Sequence, residues 1–232
     1  APPMTTGNRP ADGGFLIIED EERDDFLQRE PGAAKWIRPL LGSREFINAK
    51  KRWCLWLVGA TEREIDALPA VRERVDACRA DRLSAPDAGR RKLAETPHLF
   101  REQSFSSKDY LVVPKVSSER RTYIPIGYVS ADTICTDLLF IVLEGGLYHF
   151  GILTSQFHNA WMRTVCGRLE SRYRYSGGVV YNNFPWPGAT PESLATPVEQ
   201  LVSPEARQRI EACAQGVLDA RAAHPSATLA DL

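Results

Sequence analysis

The apolar residues of this chain come in short runs, and this limits its fold more than any other feature: Trp53 to Val58 stops at Gly59, and Leu138 to Leu143 stops at Glu144. A membrane-spanning helix needs roughly 20 consecutive apolar residues, so no run here is long enough to be one. Short apolar runs bounded by Gly, Pro and charge are the pattern of strands. Phe15 to Ile18, Trp53 to Val58, Tyr110 to Pro114, Thr122 to Val129 and Leu138 to Leu143 read this way, with a turn at Gly145 and Gly146.

Helical signals fall between them. Glu19 to Arg29 starts a charged helix. Thr61 with Glu64 three residues on is a capping box, and Leu68, Val71, Val75 and Cys78 follow at the steps of a buried stripe. Pro69 must open a second helix there or kink the first. Ser155 caps a helix whose Phe157, Trp161, Val165 and Leu169 repeat as one apolar ridge. Ser203 and Pro204 open a last helix with Ile210, Cys213, Val217 and Leu218 on its inner side. Trp36 to Phe46, broken by Pro39 and Gly42, reads as irregular, and 84–108 as a loop region. RYRYSGGVVYNNFPWP reads as strand, turn and extended segment. Without regular βαβ spacing or repeats, the order predicts an α+β fold: an antiparallel β-sheet core with packed helices and a C-terminal helical tail.

Of the 232 residues, 43% are hydrophobic and 25% charged, enough for one sizeable core or two small ones. The five cysteines are widely spaced, with no C-x-x-C pair, and read as buried reduced thiols of a soluble cytoplasmic protein with no membrane partner. Residues 1–14, rich in Pro and Gly and without a Met at position 1, read as a linker rather than a targeting signal.

Signatures of catalysis are missing: there is no dinucleotide glycine fingerprint, phosphate-binding G-K-[ST] loop, H-E-x-x-H or G-x-S-x-G. Ser155 and His158 are the one nearby pair that an unfamiliar hydrolase would use. The acidic stretch 19–25 reads as a solvated helix face, and NNFPWP at 182–187 as a packing segment. Trp36, Trp53, Trp161 and Trp186 leave open a scaffold domain that binds another subunit. The net charge of −1 gives no global pull on nucleic acid, yet positive groups gather in the middle and later chain: 90–92, Lys108, Lys115, Arg120, Arg121, Arg163, Arg168, Arg172 and Arg174.

Several ordered motifs together resemble one family. GNRPADGG followed by FLI and an acidic helix, WIRPLLGSREFINAKKRWCLWL, PKVSSERRTYIPIGYV, FHNAWMRTVCGRLESRYRYS and YNNFPWP look like the C-terminal half of the MmeI-like type IIL restriction-modification enzymes. In those enzymes one polypeptide carries nuclease, adenine-N6 methyltransferase and target recognition domain. The resemblance runs from about Gly7 to Pro187. It implies a target recognition domain over 15–187, a helical segment over 188–232, and double-stranded DNA and a methyltransferase domain of the same polypeptide as partners. The S-adenosylmethionine site, the magnesium-dependent cutting site and the N-P-P-[YF] loop would lie outside this chain, which would bind no cofactor and be no enzyme by itself.

Base edges carry sequence information and phosphates do not. If KVSSERRTY is extended, Ser117, Glu119, Arg121 and Tyr123 share one face. A carboxylate accepts from the cytosine amino group and a guanidinium clasps guanine O6 and N7, so Glu119 and Arg121 together would span a C·G pair. The resemblance implies the same two residues, because the family's specificity-setting Glu and Arg stand two apart in the region aligned with SERR. Lys108, Lys115, Arg120, Arg172 and Arg174 are the expected contacts to the DNA backbone. The 84–92 loop suggests no specific contact.

Overall fold

A computed structural model describes residues 1–231. Two four-stranded sheets and one three-stranded sheet organise the chain, and with their helices they enclose three apolar clusters. In the first sheet, β1 (Thr5–Thr6) and β5 (Tyr110–Pro114) flank β9 (Leu139–Val142), and β7 (Gly127–Val129) lies on the far side of β5. All pairings in it are antiparallel. The second sheet has the order β2 (Ile17–Glu19), β4 (Arg52–Leu55), β3 (Ile37–Leu41) and β8 (Ile134–Cys135), of which β3 and β8 run parallel. The third joins β10 (Gly167–Leu169), β11 (Arg172–Arg174) and β6 (Val116–Ser117).

β5 shows why its run is apolar without alternation. Leu111 and Val113 face one cluster while Tyr110 and Val112 face another, so the strand is buried on both sides. Its register keeps the two faces apart: Leu111 lies opposite Val142, and Val112 opposite Ile141. The helices α6 (Leu147–Leu153), α7 (Gln156–Val165) and α8 (Pro204–Ala222) contribute to the first cluster, which also receives Phe184 and Trp186 of NNFPWP. The second sheet is covered by α1 (Asp20–Arg29), α3 (Glu62–Asp66) and α4 (Pro69–Ser84). The short α2 (Ser43–Asn48) sends Phe46 against the third cluster, and α5 (Ala88–Lys92) follows α4.

The stripe of α4 ends in a buried cation. Arg82, with no exposed surface, donates to five backbone carbonyls: Pro10, Ala11, Leu93, Thr96 and Leu99, at 2.8–3.0 Å. It thereby fastens both the N-terminal segment and the chain after α5 to the helix. The N-terminal residues, expected as a linker, are built into the fold. Asn8 is fully buried and exchanges hydrogen bonds with Ser104 while donating to the Cys135 carbonyl, and Asp12 accepts from the Leu16 and Gly14 amides. The polar letters of GNRPADGG are thus structural.

Five other local expectations are corrected. The irregular Trp36–Phe46 contains β3 and leads into α2; Pro39 sits at the end of the β4 ladder, where a missing N–H is tolerated. The region 84–108 includes α5 and a 3₁₀ turn at Leu93–Glu95. The α7 ridge is only half inward: Trp161 and Val165 pack half-buried against the first cluster, but Phe157 is 60% exposed, the buried positions are His158, Asn159 and Met162, and Leu169 lies beyond the helix in β10. Likewise Cys213 is exposed and Val217 lines open space, while Ala214 is buried, with Ile210 and Leu218 packed beside it. The Gly177–Tyr181 stretch forms a π-helical turn instead of an open one.

Candidate nucleic-acid interface

The exposed basic surface is assembled by the third sheet. Residues directly opposite each other in an antiparallel pair share a face. Arg168, Tyr173 and Ser117 therefore lie on one side, and Leu169, Arg172, Arg174 and Val116 on the other. The first side turns inward at β6 and β11, where Ser117 is buried and Tyr173 packs against the main cluster, and reaches solvent at Arg168 on the edge strand β10. The second presents Arg172 and Arg174 to solvent. Arg168 stacks over the Tyr173 ring at 3.9 Å and donates to the Ser171 carbonyl, and Arg172 pairs with Glu170 at 2.8 Å. Arg174 and Arg120 form no ion pair among the described residues.

The segment expected to be extended is not. Strand β6 ends at Ser117, and the chain turns over residues 118–121, with the Arg121 N–H donating to the Ser118 carbonyl at 3.3 Å and the Arg120 N–H to the Ser118 hydroxyl at 3.2 Å. A serine hydroxyl that competes for nearby amides favours such a turn over a continued ladder. The alternation of Ser117, Glu119, Arg121 and Tyr123 along one strand face is therefore corrected. Ser117 lies beneath the sheet. Glu119 is exposed on the hairpin side of the turn, near Ser171, Arg120 and Arg168. Hydrogen bonding to its own backbone amide, with smaller help from Ser171 and the two arginines, holds its carboxyl below the usual range. Arg120, Arg121 and Tyr123 border a groove of about 1020 Å³, whose other wall is α8 with Val217 and Arg221.

Two side chains of α7 hold this segment by its main chain. Arg163 Nη2 donates to the carbonyls of Arg121 at 2.9 Å and Thr122 at 2.6 Å. The buried Asn159 Oδ1 accepts from the Ile124 N–H at 3.0 Å. Sequence reasoning counted Arg163 only as a charge and missed Asn159; their four-residue spacing on a helix was the available signal.

The expected backbone cations divide. Lys115 sits over the Phe140 ring at 4.8 Å, and partial burial, aided by nearby Arg9 and Arg174, lowers its pKa. It belongs with Arg120, Arg172 and Arg174. Lys108 lies beyond the opposite end of β5, seven residues away and so roughly 20 Å along an extended chain. In the 84–92 loop, Arg90 is engaged by Asp81, and Arg91 by the Ala85 and Pro86 carbonyls.

The hydrolase pair does not form. The Ser155 hydroxyl accepts the His158 backbone N–H as a helix cap, while the His158 ring is buried with Nε2 3.1 Å from the Tyr175 hydroxyl. Among the described residues no three His, Cys, Asp or Glu side chains converge to hold a metal ion, and no helix is long and apolar enough to cross a membrane.

A family model described as "MmeI, target recognition domain" matches residues 1–188. DNA methyltransferase A of Bacillus subtilis (strain 168) is 40% identical over 186 residues, which are 80% of this chain and 21% of that protein. Among solved structures, the type IIL restriction-modification enzyme MmeI in complex with DNA matches with a TM-score of 0.90 and 40% identity, over 99% of this chain and 29% of that one. The chain thus spans between a fifth and a third of the length of these relatives. By the extent of these matches and the arrangement of its sheets, the chain belongs to the family of MmeI target recognition domains.

Proposed function

We propose that this chain recognises a specific sequence in double-stranded DNA, with the turn at 118–123 reading base edges and the β10–β11 hairpin gripping the backbone. The observation that carries this reading is the adjacency of two surface features: a turn carrying the exposed Glu119 and Arg120 with the half-buried Arg121, and a strand whose outward face carries Arg172 and Arg174. On a chain of net charge −1, this concentrates cations on one surface. Glu119, on the hairpin side of the turn, accepts from a cytosine amino group and Arg121 donates to guanine, with Tyr123 beside Arg121 at the groove edge; each such contact discriminates by about 1–3 kcal/mol. Arg120, Lys115, Arg172 and Arg174 take phosphates. Neither Ser117, being buried, nor Lys108, being distant, retains a role.

In this reading the chain is the recognition part of a longer cytoplasmic polypeptide that methylates adenine and cuts DNA. S-adenosylmethionine and magnesium would act in the other domains, and this chain supplies no catalytic step. The test is selection of duplexes from a randomised pool by the wild-type chain and by Glu119→Lys/Arg121→Asp. The selected consensus should change at one base pair in the double variant. An unchanged consensus, or no salt-dependent binding by the wild type, removes the proposal.

A further inference from the structure

The α7 contacts are made to the main chain at both ends of the segment 121–124, which leads out of the turn. Arg163 grips two successive carbonyls, at Arg121 and Thr122, and Asn159 grips the amide of Ile124. One turn of helix separates the two side chains, so they project from one face and span the chain segment like the two ends of a bracket. Asn159 is itself fixed, its Nδ2 donating to the Ser155 carbonyl at 2.8 Å. The guanidinium of Arg163 lies 5.8 Å from the centre of the Tyr173 ring, over which Arg168 also stacks. The same arginine therefore touches the turn and the hairpin. Beneath them α7 is anchored by His158 against Tyr175 and by Met162 in the core.

We propose that Asn159 and Arg163 are positioning residues for base recognition: they hold the backbone of 121–124 on α7 and against the hairpin, and so set the direction in which Glu119 and Arg121 project. The proposal rests on the reading of those two side chains as base contacts, and it adds residues that touch no base themselves. Discrimination between bases depends on directional hydrogen bonds, so a turn free to tilt loses selectivity before it loses charge. Arg163 is exposed, and its removal leaves the core intact.

Amide exchange of the free chain tests the holding step. In Arg163→Gln the hydrogen-bonded amides of Arg120, Arg121 and Ile124 should exchange about tenfold faster, the scale of one net hydrogen bond, while those of β5 and α7 stay as in the wild type. Trypsin should likewise nick after Arg120 or Arg121 sooner. Asn159→Ala should loosen the same amides, beginning at Ile124. Binding tests the consequence. With the duplex selected by the wild type and its single-base variants, Arg163→Gln should lose about tenfold in discrimination at the pair read by Glu119 and Arg121. Its affinity for unrelated duplex should fall by no more than the loss of one cation allows.

Unchanged exchange in Arg163→Gln overturns the proposal. So does faster exchange with full discrimination, provided that Glu119→Lys alters the consensus. If Glu119→Lys leaves the consensus unchanged, the base-reading assignment has failed, and the positioning role falls with it. The exchange data then still say whether α7 holds the turn, which separates the two failures.

Discussion

Arg82 and His158 illustrate how far single polar groups decide the stability of this domain. Arg82 replaces what would have been the next apolar position on α4, and its five N–H groups meet five carbonyls that no other side chain serves. Substitution Arg82→Met keeps the length but leaves the Pro10, Ala11 and Leu99 carbonyls bare, while those of Leu93 and Thr96 keep only a backbone amide, so denaturant unfolding should show a loss of about 3 kcal/mol or more. Arg82→Lys should recover only part of it, because an ammonium offers three donors and no fork. His158 acts through titration. Burial pushes its pKa down to about 4, so the folded ring stays neutral while the unfolded one takes up a proton near its ordinary value of 6.5. Stability is therefore full above that ordinary value and falls as the pH drops towards 4, by about 3 kcal/mol in all. The buried His149 is shifted in the same direction by desolvation, against the opposing pull of Glu199. Urea titrations between pH 7.5 and 4.5 should show the loss, and His158→Gln, which keeps a partner for the Tyr175 hydroxyl, should flatten it.

At the level of elements, the parts announced by local hydrogen-bond chemistry were legible in the sequence. Thr61 with Glu64, Ser155 and Ser203 cap the helices they were expected to cap, and Pro69 opens α4. Parts that depend on which side faces the core were not. Helix α6 went unseen because Tyr148, His149, Phe150, Ile152 and Leu153 are all buried, which leaves no stripe to detect. On α7 the apolar ridge is turned to the edge of the core, with Phe157 outside and Trp161 and Val165 half-buried, because His158 and Asn159 find partners within, and a periodicity argument cannot see those partners. The candidate interface was half legible: its charged residues could be named, but the turn that separates Glu119 from a strand geometry is made by Ser118, whose choice between ladder and turn is settled by tertiary contacts. The hairpin yields its own prediction. Arg172→Ala should weaken binding to all duplexes alike and lower the slope of log affinity against log salt by about 1. Titration of specific and unrelated duplexes from 50 to 200 mM salt decides it, and a loss confined to one base pair would contradict it.

Across the whole molecule, the C-terminal helix is a structural member rather than an appendage. Ala214 closes the main cluster with Ile210 and Leu218 beside it, Arg221 donates to the Ile126 carbonyl at 2.7 Å, and the Ala230 amide reaches back to Ile47. The family match nevertheless ends at residue 188. A chain cut there should lose roughly 5 kcal/mol from the uncovered apolar surface, detectable as a lowered thermal midpoint and dye binding to exposed core. The attachment of the turn has a different sort of consequence. Its grips fall on two carbonyls and one amide, atoms that every residue supplies except for the amide of proline. Identity at 119–123 is therefore free to drift without unfastening the loop, and a lineage can rewrite what it recognises while inheriting the scaffold unaltered.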